Sequence, residues 1–428
     1  MNTIYAFNIM NKFKYTKSIK RTCFAHPNSP HKEMVKEKLK LFHFGMKDIG
    51  YGICKKCGLT LQTTSPTLKE IIGFYKQNFY WENFKKNDLT TTPEVHKVTS
   101  IKRQIGIIKR ECVPFPKSVL EVSLMSLYNL IQFKKNGSKI LHGLEPSISL
   151  TKNLEDKHKI KIFNNIIEKF KSKINYDLIL MSHVLEHLPN PSIAIKQCYL
   201  NQKEGQKIFV EVPLFEKTET YSASGLNVEH LYYFDENNFV NMLKQNGYEP
   251  LSIEKIYEST HLPFISVLAK KVSKKKVKSQ TSYLKFNYEK QLLEINKYKK
   301  NVNKIYSKVN KVLNKISKKN DMYLFGAGLS ASSFIYYSKI DKKFNIRAVF
   351  DNSSVKINKY LCDMKIIKPE LEKLKKNSNV VITSFGTTNQ ILKKLSKNVK
   401  KKINFYSFDR DFNFKKIKNL QSINELEL

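Results

Sequence analysis

The sequence predicts an α/β protein of three units: a small metal-binding domain followed by two doubly wound α/β domains. Three observations carry that expectation. Cysteine and histidine pairs cluster before residue 60, strand patterns alternate with helical ones from about 91 to 270, and a second strand–glycine turn–helix pattern follows a lysine-rich break at 270–280. The units are accordingly placed at 1–90, 91–270 and 271–428.

Bulk properties narrow the function classes. A chain of 428 residues, 41% hydrophobic and 12% aromatic, is long enough for several real cores. Its net charge of +39 would suit a nucleic acid or an anionic membrane. The lysines, however, are spread along the whole chain and arginine is scarce, whereas phosphate-reading surfaces usually add arginine forks. We read the charge as a compositional bias that suits an acidic or phosphorylated small-molecule substrate, and expect no nucleic-acid partner. No apolar run approaches the ~20 residues of a membrane span. The basic start MNTIYAFNIMNKFKYTKSIK lacks a compact apolar core with a small-residue cleavage site, so the expected location is the cytoplasm. Six cysteines in so long a chain argue against a disulfide scaffold.

In the first unit, TCFAHP sets Cys23 and His26 at the same spacing as Cys54 and Cys57 in YGICKKCGL. Such a knuckle lets two ligands grip one tetrahedral ion from a tight turn, and Gly58 suits the backbone there. Two knuckles complete a closed zinc site, which is structural because no position remains for a substrate. His31 and His43 are rival ligands, and two chance pairs of buried cysteines are the plain alternative.

In the second unit, SVLEV (118–122) reads as a strand and ILHGLEPS (140–147) as the next, with Glu145 at its tip. An acidic group there can accept both hydroxyls of an adenosyl ribose. YDLILMS forms a strand led by Asp177, the Ser182–His183 turn follows, and Pro191 opens a helix. GQKIFVEVPLFE is a buried strand broken by Pro213. NVEHLYYF reads as a loop before a helix capped by Asp235, with a turn at Gly247 and a further strand.

The third unit opens with a long helical stretch in which Ile295, Tyr298, Val302, Ile305, Val309, Val312 and Ile316 form a stripe. The stripe spans about three heptads, short for a coiled-coil seam, so packing on its own domain is expected. DMYLFGAGLSASSFIYY is strand, glycine turn and helix, and Gly326 and Gly328 free the helix N-terminus to face an anion. IRAVFDNS is the next strand, ending at Asp351; NVVITSFG and INFYSFD supply two more.

The segments VLE, GLEPS, YDLI, HVLEHLPNP, EVPLFE and EHLYYF, in this order, resemble class I S-adenosylmethionine-dependent methyltransferases. More closely, the chain resembles the three-domain sugar C-methyltransferase group, with an N-terminal zinc domain, a central cofactor domain and a C-terminal Rossmann-like domain. The resemblance implies a cofactor site at Glu121, Ser123, Glu145, Asn164, Ser182 and His183. It implies a base at His230 and Glu229 for carbon methylation, although the tyrosine of the family's Tyr-x-Glu-His pattern is Asn227 here. It implies that Gly326, Gly328 and Asp351 face a nucleotide-linked sugar, or that this domain simply buttresses the central one, and that the product belongs to polysaccharide or glycosylated-metabolite synthesis. His183 and His187 have a plainer reading as hydrogen-bonding pins in a compact turn.

One departure keeps a second reading open. The glycine-rich first turn of the family is Ser123-Leu124-Met125-Ser126-Leu127 here. Glycine serves in such a turn because a Cβ would crowd the cofactor and because a positive φ is needed. Either the turn is rebuilt around the cofactor, or its side chains fill the pocket and the domain is a non-catalytic scaffold. An RNA methyltransferase, prompted by the charge and the knuckles, is the third possibility.

Overall fold

The computed structural model describes residues 18–29, 31–41, 45–67, 69, 95–124, 127–146, 160–226, 229–257, 262–273, 288–353, 356–383, 388, 391–392, 402–409 and 412–417. His43, Met125, Ser126 and Asn227 lie outside the described residues.

The N-terminal part contains β1 (Ser18–Lys20), β2 (His31–Leu41), β3 (Gly45–Cys54), β4 (Thr60–Gln62) and β5 (Thr64–Pro66). β1 pairs with β5, and β2, β3 and β4 form an antiparallel meander.

Helix α1 (Val95–Glu111) leads into the central sheet. Its strands are β6 (Ser118–Val122), β7 (Ile140–Leu144), β8 (Lys161–Phe163), β9 (Leu178–Ser182) and β10 (Lys207–Pro213). The short β11 (Tyr232–Tyr233) lies outside that sheet, which β12 (Tyr248–Ile256) and β13 (Phe264–Lys271) complete. The order is β12-β13-β10-β9-β6-β7-β8, with β13 antiparallel to its neighbours. β6 and β9 are parallel neighbours, and from them the sheet winds outward in both directions. Ligands bind at such a switch point, beyond the strands' C-terminal ends. Strands β6 and β10 are almost wholly buried, as their near-continuous apolar runs require under two helical layers.

Helices α2 (Tyr128–Lys135), α3 (Pro191–Leu200) and α4 (Glu236–Gln245) have local causes. Pro191 sits in the first turn of α3, and the Asn190 side chain accepts the Ile193 N–H at 3.3 Å. Asp235 caps α4 by accepting the Asn238 N–H at 2.6 Å. Ile105, Ile108, Leu130 and Phe133 pack against Val119, Leu178 and Phe209 on one face of the sheet. Ile195, Phe239 and Leu243 cover the other face, in a core that continues into Cys23, Cys54, Cys57, Leu59 and Leu61.

The loop expected at NVEHLYYF contains β11, and β11 pairs not with the central sheet but with β4 (Tyr232↔Leu61, Tyr233↔Thr60). The N-terminal and central parts are therefore joined by a ladder as well as by a core.

Helix α5 (Tyr288–Leu313) ends before Ile316, which is buried beyond it. Its stripe is buried within the chain, against Tyr51 and Ile53, Phe215 and Tyr221, and Met322 and Leu324. A dimer seam is not needed to cover it. Beyond α5 come β14 (Met322–Phe325), α6 (Leu329–Ser338), α7 (Ile340–Lys343), β15 (Ile346–Phe350), β16 (Tyr360–Leu361), β17 (Met364–Ile367), β18 (Asn379–Ile382), β19 (Asn404–Phe408) and β20 (Phe414–Lys416). They form a second seven-stranded sheet, β16-β17-β15-β14-β18-β19-β20, parallel from β17 to β19. Its own switch point lies at β14 and β18. Among the described residues no helix is long and apolar enough to cross a membrane.

Candidate functional site

The turn after β6 keeps the backbone path of a glycine turn without the glycine. Ser123 holds φ +63°, in the left-handed region, and its N–H donates to Leu144 O at 2.8 Å. The next N–H, from Leu124, donates to Glu145 Oε2 at 3.1 Å. The Leu124 side chain turns away into the core on the α1–α2 face. There it lies directly over Gly143, where an added Cβ would meet it unless the leucine shifts. Leu127 is buried in the same core. Glu121, one residue short of the β6 end, accepts from Asn129 Nδ2 at 2.5 Å, and its Oε2 has no hydrogen-bond partner among the described residues. Burial pushes its carboxyl up to about 8, the Asn129 amide pulling back only in part. Asn164 donates to the Glu145 carbonyl at 3.2 Å. Glu121, Ser123, Glu145 and Asn164 are thus brought to one edge of the sheet.

Ser182 ends β9 and His183 follows it beside them, and both converge on Glu211, a residue the sequence reading did not single out. Glu211 is 1% exposed. Ser182 Oγ and Gln104 Nε2 each donate to Oε1 at 3.2 Å, Ser266 Oγ donates to Oε2 at 2.6 Å, and Arg103 forms an ion pair with Oε2. His183 Nε2 lies 3.4 Å from Oε1. Burial alone would raise the Glu211 carboxyl; His183, then Arg103 and Ser266, reverse this and hold it at about 2. The signal for this hub was present: a lone glutamate inside IFVEVP, buried on both faces, must be partnered. His183 itself has φ +53° and a side chain 42% exposed. Burial lowers it, the Glu186 and Glu211 carboxylates outweigh that, and its pKa rises to about 10; solvent softens these effects at so open a position.

The third group lies next to His183. His187 Nδ1 is 2.9 Å from the Glu229 carbonyl, and its ring meets the His230 ring edge-on at 4.9 Å. The Leu231 N–H donates to the Glu186 carbonyl at 2.7 Å. These contacts tie the 185–187 turn to the 229–231 loop, which β4–β11 pairing holds from the other side. Burial, then His187, lowers His230 to about 3, and burial raises the Glu229 carboxyl. His187 was read as a pin within its own compact turn; its Nδ1 instead reaches the Glu229 carbonyl, far along the chain, beside the base candidates.

The four N-terminal ligands also meet. Ligand atoms of Cys23, His26, Cys54 and Cys57 lie within 4.8 Å of one another. Cys23 Sγ is 3.5 Å from Cys57 Sγ and 3.9 Å from His26 Nδ1. Tetrahedral zinc with Zn–S bonds of about 2.3 Å needs ligand separations of roughly 3.3–3.8 Å, so the donor set and spacing fit. Gly58 takes φ +70° and donates to the Cys54 carbonyl at 2.8 Å, closing the knuckle. His31 is not in this group, and its strand register places it opposite Cys54.

In the C-terminal sheet, Gly326 has φ +105° and Gly328 caps α6, with open space where its Cβ would stand. Asp351 accepts the Ala327 N–H and the Ser353 N–H, each at 2.8 Å, and pairs with Lys356 at 3.2 Å. The three residues are brought together, but Asp351 is engaged first by its own turn.

Residues 110–253 match the family model described as "Methyltransferase domain", and residues 265–407 match "C-methyltransferase C-terminal domain". The central sheet thus carries a stretch that matches methyltransferase domains, and the part after it matches C-methyltransferase C-terminal domains. No curated protein matches the chain. Among solved structures, it is similar to the 1,6-didemethyltoxoflavin-N1-methyltransferase of Burkholderia thailandensis, at 12% identity and a TM-score of 0.39, over 50% of this chain and 96% of that one. It is also similar to the magnesium protoporphyrin IX methyltransferase of Synechocystis, at 12% identity and a TM-score of 0.39, over 48% of this chain and 100% of that one.

Proposed function

We propose that this protein transfers a methyl group from S-adenosylmethionine to a carbon of a nucleotide-linked sugar or a related small metabolite. The observation that supports this most is the succession of a methyltransferase-domain match and a C-methyltransferase C-terminal-domain match along one chain. The cofactor, when bound, supplies an electrophilic methyl group for in-line displacement. Glu145 takes the ribose hydroxyls: a carboxylate has about four acceptor sites, and the Leu124 N–H uses one of them. Glu121, Ser123, Asn164, Ser182 and His183 line the same strand ends. Leu124 and Leu127 leave that edge for the core, so these bulky replacements do not by themselves fill the pocket. In this reading Glu229 and His230 take the proton from a C–H beside a carbonyl. Gly326, Gly328 and Asp351 face the nucleotide, and Cys23, His26, Cys54 and Cys57 hold a structural zinc ion.

Calorimetry with S-adenosylmethionine tests the reading. Binding is expected, and Glu145→Ala should weaken it roughly 10–100-fold, the worth of hydrogen bonds to a charged group. No heat at millimolar cofactor would instead identify a non-catalytic scaffold, the reading favoured by the engagement of Glu145 with its own turn. For zinc, Cys54→Ser should release the metal and lower the melting temperature; a metal-free protein of unchanged stability would sink that assignment.

A further inference from the structure

We propose that Glu186, His187 and His230 form a second metal site, binding one divalent transition-metal ion of borderline softness and leaving coordination positions for an oxygen-bearing ligand. One ligand atom from each lies within 4.8 Å of the others. Two imidazole nitrogens and one carboxylate oxygen are the donor set that zinc, cobalt(II) and iron(II) take in open sites.

Glu186 is the observation that points to a ligand. Its side chain is 1% exposed, and among the described residues neither carboxylate oxygen has a partner at hydrogen-bond geometry. It forms ion pairs with two imidazoles, His183 Nδ1 at 3.5 Å and His187 Nε2 at 3.6 Å, both longer than an ordinary hydrogen bond. The imidazoles balance part of its charge but leave both oxygens short of donors at hydrogen-bond length, and a metal ion in this position would fill that need. His187 is arranged as metal-binding histidines are. Its Nδ1 faces the Glu229 carbonyl at 2.9 Å, which fixes the proton there and presents the Nε2 lone pair on the Glu186 side. His230 completes the set from the opposite loop, held by the Leu231–Glu186 backbone bond and the β4–β11 ladder.

Bonds of about 2.0–2.2 Å would draw the three atoms to roughly 3–3.5 Å apart, a contraction that side-chain rotation supplies. The contrast with the N-terminal knuckles is chemical. Four ligands rich in sulfur close a shell, whereas three nitrogen and oxygen ligands leave it open. With His230 bound to the ion, Glu229 is the group left to accept the substrate proton.

The test uses the full chain, stripped with a chelator and reloaded with cobalt(II) alone. Two ions per chain are expected: one with intense thiolate-to-cobalt bands, and one adding only weak visible bands. Glu186→Gln and His187→Asn should each remove the second ion and keep the thiolate bands, which also reports that the N-terminal fold survives. A single ion in the unaltered chain, or a second ion that persists in both variants, would overturn the proposal. No cofactor or acceptor is present, so this result is independent of whether the protein transfers methyl groups.

Discussion

The two strand–turn–helix units, Ser118–Lys135 and Met322–Ser338, solve one backbone problem with different residues. In each, the first turn residue has positive φ and donates its N–H to the last carbonyl of the next strand: Ser123 to Leu144, and Gly326 to Phe350, both at 2.8 Å. In each, the following N–H donates to the carboxylate just beyond that strand: Leu124 to Glu145, and Ala327 to Asp351. Position for position, Glu121 corresponds to Leu324, Ser123 to Gly326 and Leu124 to Ala327. The turn geometry is thus specified by strand register and a carboxylate, and glycine is one way of meeting it. Ser123, at φ +63°, stays within the left-handed well open to other residues, whereas Gly326, at φ +105°, lies beyond it.

Exchanging residues between the units tests this equivalence. Leu124→Ala copies the C-terminal turn but leaves a cavity above Gly143, and should cost about 2–5 kcal/mol in denaturant unfolding; Gly143→Ala in the same chain should recover part of that. Glu121→Leu copies Leu324 and removes a pH dependence. The Glu121 carboxyl, at about 8, is raised above its ordinary 4.5, so the folded state holds the proton more tightly. Its contribution is complete below about pH 4.5, is lost as pH rises, and is gone above about pH 8, an upper limit on the order of 5 kcal/mol. Unfolding midpoints at pH 5 and pH 9 should differ less in the variant than in the parent chain. Gly326→Ser forces a side chain into a glycine region and should destabilise by about 1–3 kcal/mol. Ser123→Gly relieves a milder strain, and its gain in melting free energy should stay below about 1 kcal/mol. Equal and opposite effects for the last two would break the distinction between the two wells.

What was legible beforehand was local. SVLEV is the strand Ser118–Val122, Pro191 opens its helix, Asp235 caps the next, and Gly58 closes a knuckle, because each is set by residues a few positions apart. The placement of Glu121, Ser123, Glu145, Asn164, Ser182 and His183 at or just beyond strand ends was legible for the same reason. What was missed is set by partners distant in sequence. Glu211 draws on Arg103, Gln104, Ser182, His183 and Ser266, and its buried charge announces a partner without naming one. The pairing of Tyr232–Tyr233 with Thr60–Leu61 carries no local signal, because two residues are too short for a period to show. Glu186 lay hidden in HVLEHLP between two histidines that drew the eye.

The β4–β11 ladder also sets a schedule for synthesis. Strand β4 ends at Gln62, but its partner begins at Tyr232. At ~5–20 residues per second on the ribosome, roughly 10–30 s pass before that partner is made. During that interval the edge of β4 is bare, and unpaired edges invite association with other chains. The N-terminal sheet is therefore closed at that edge only by a strand made much later.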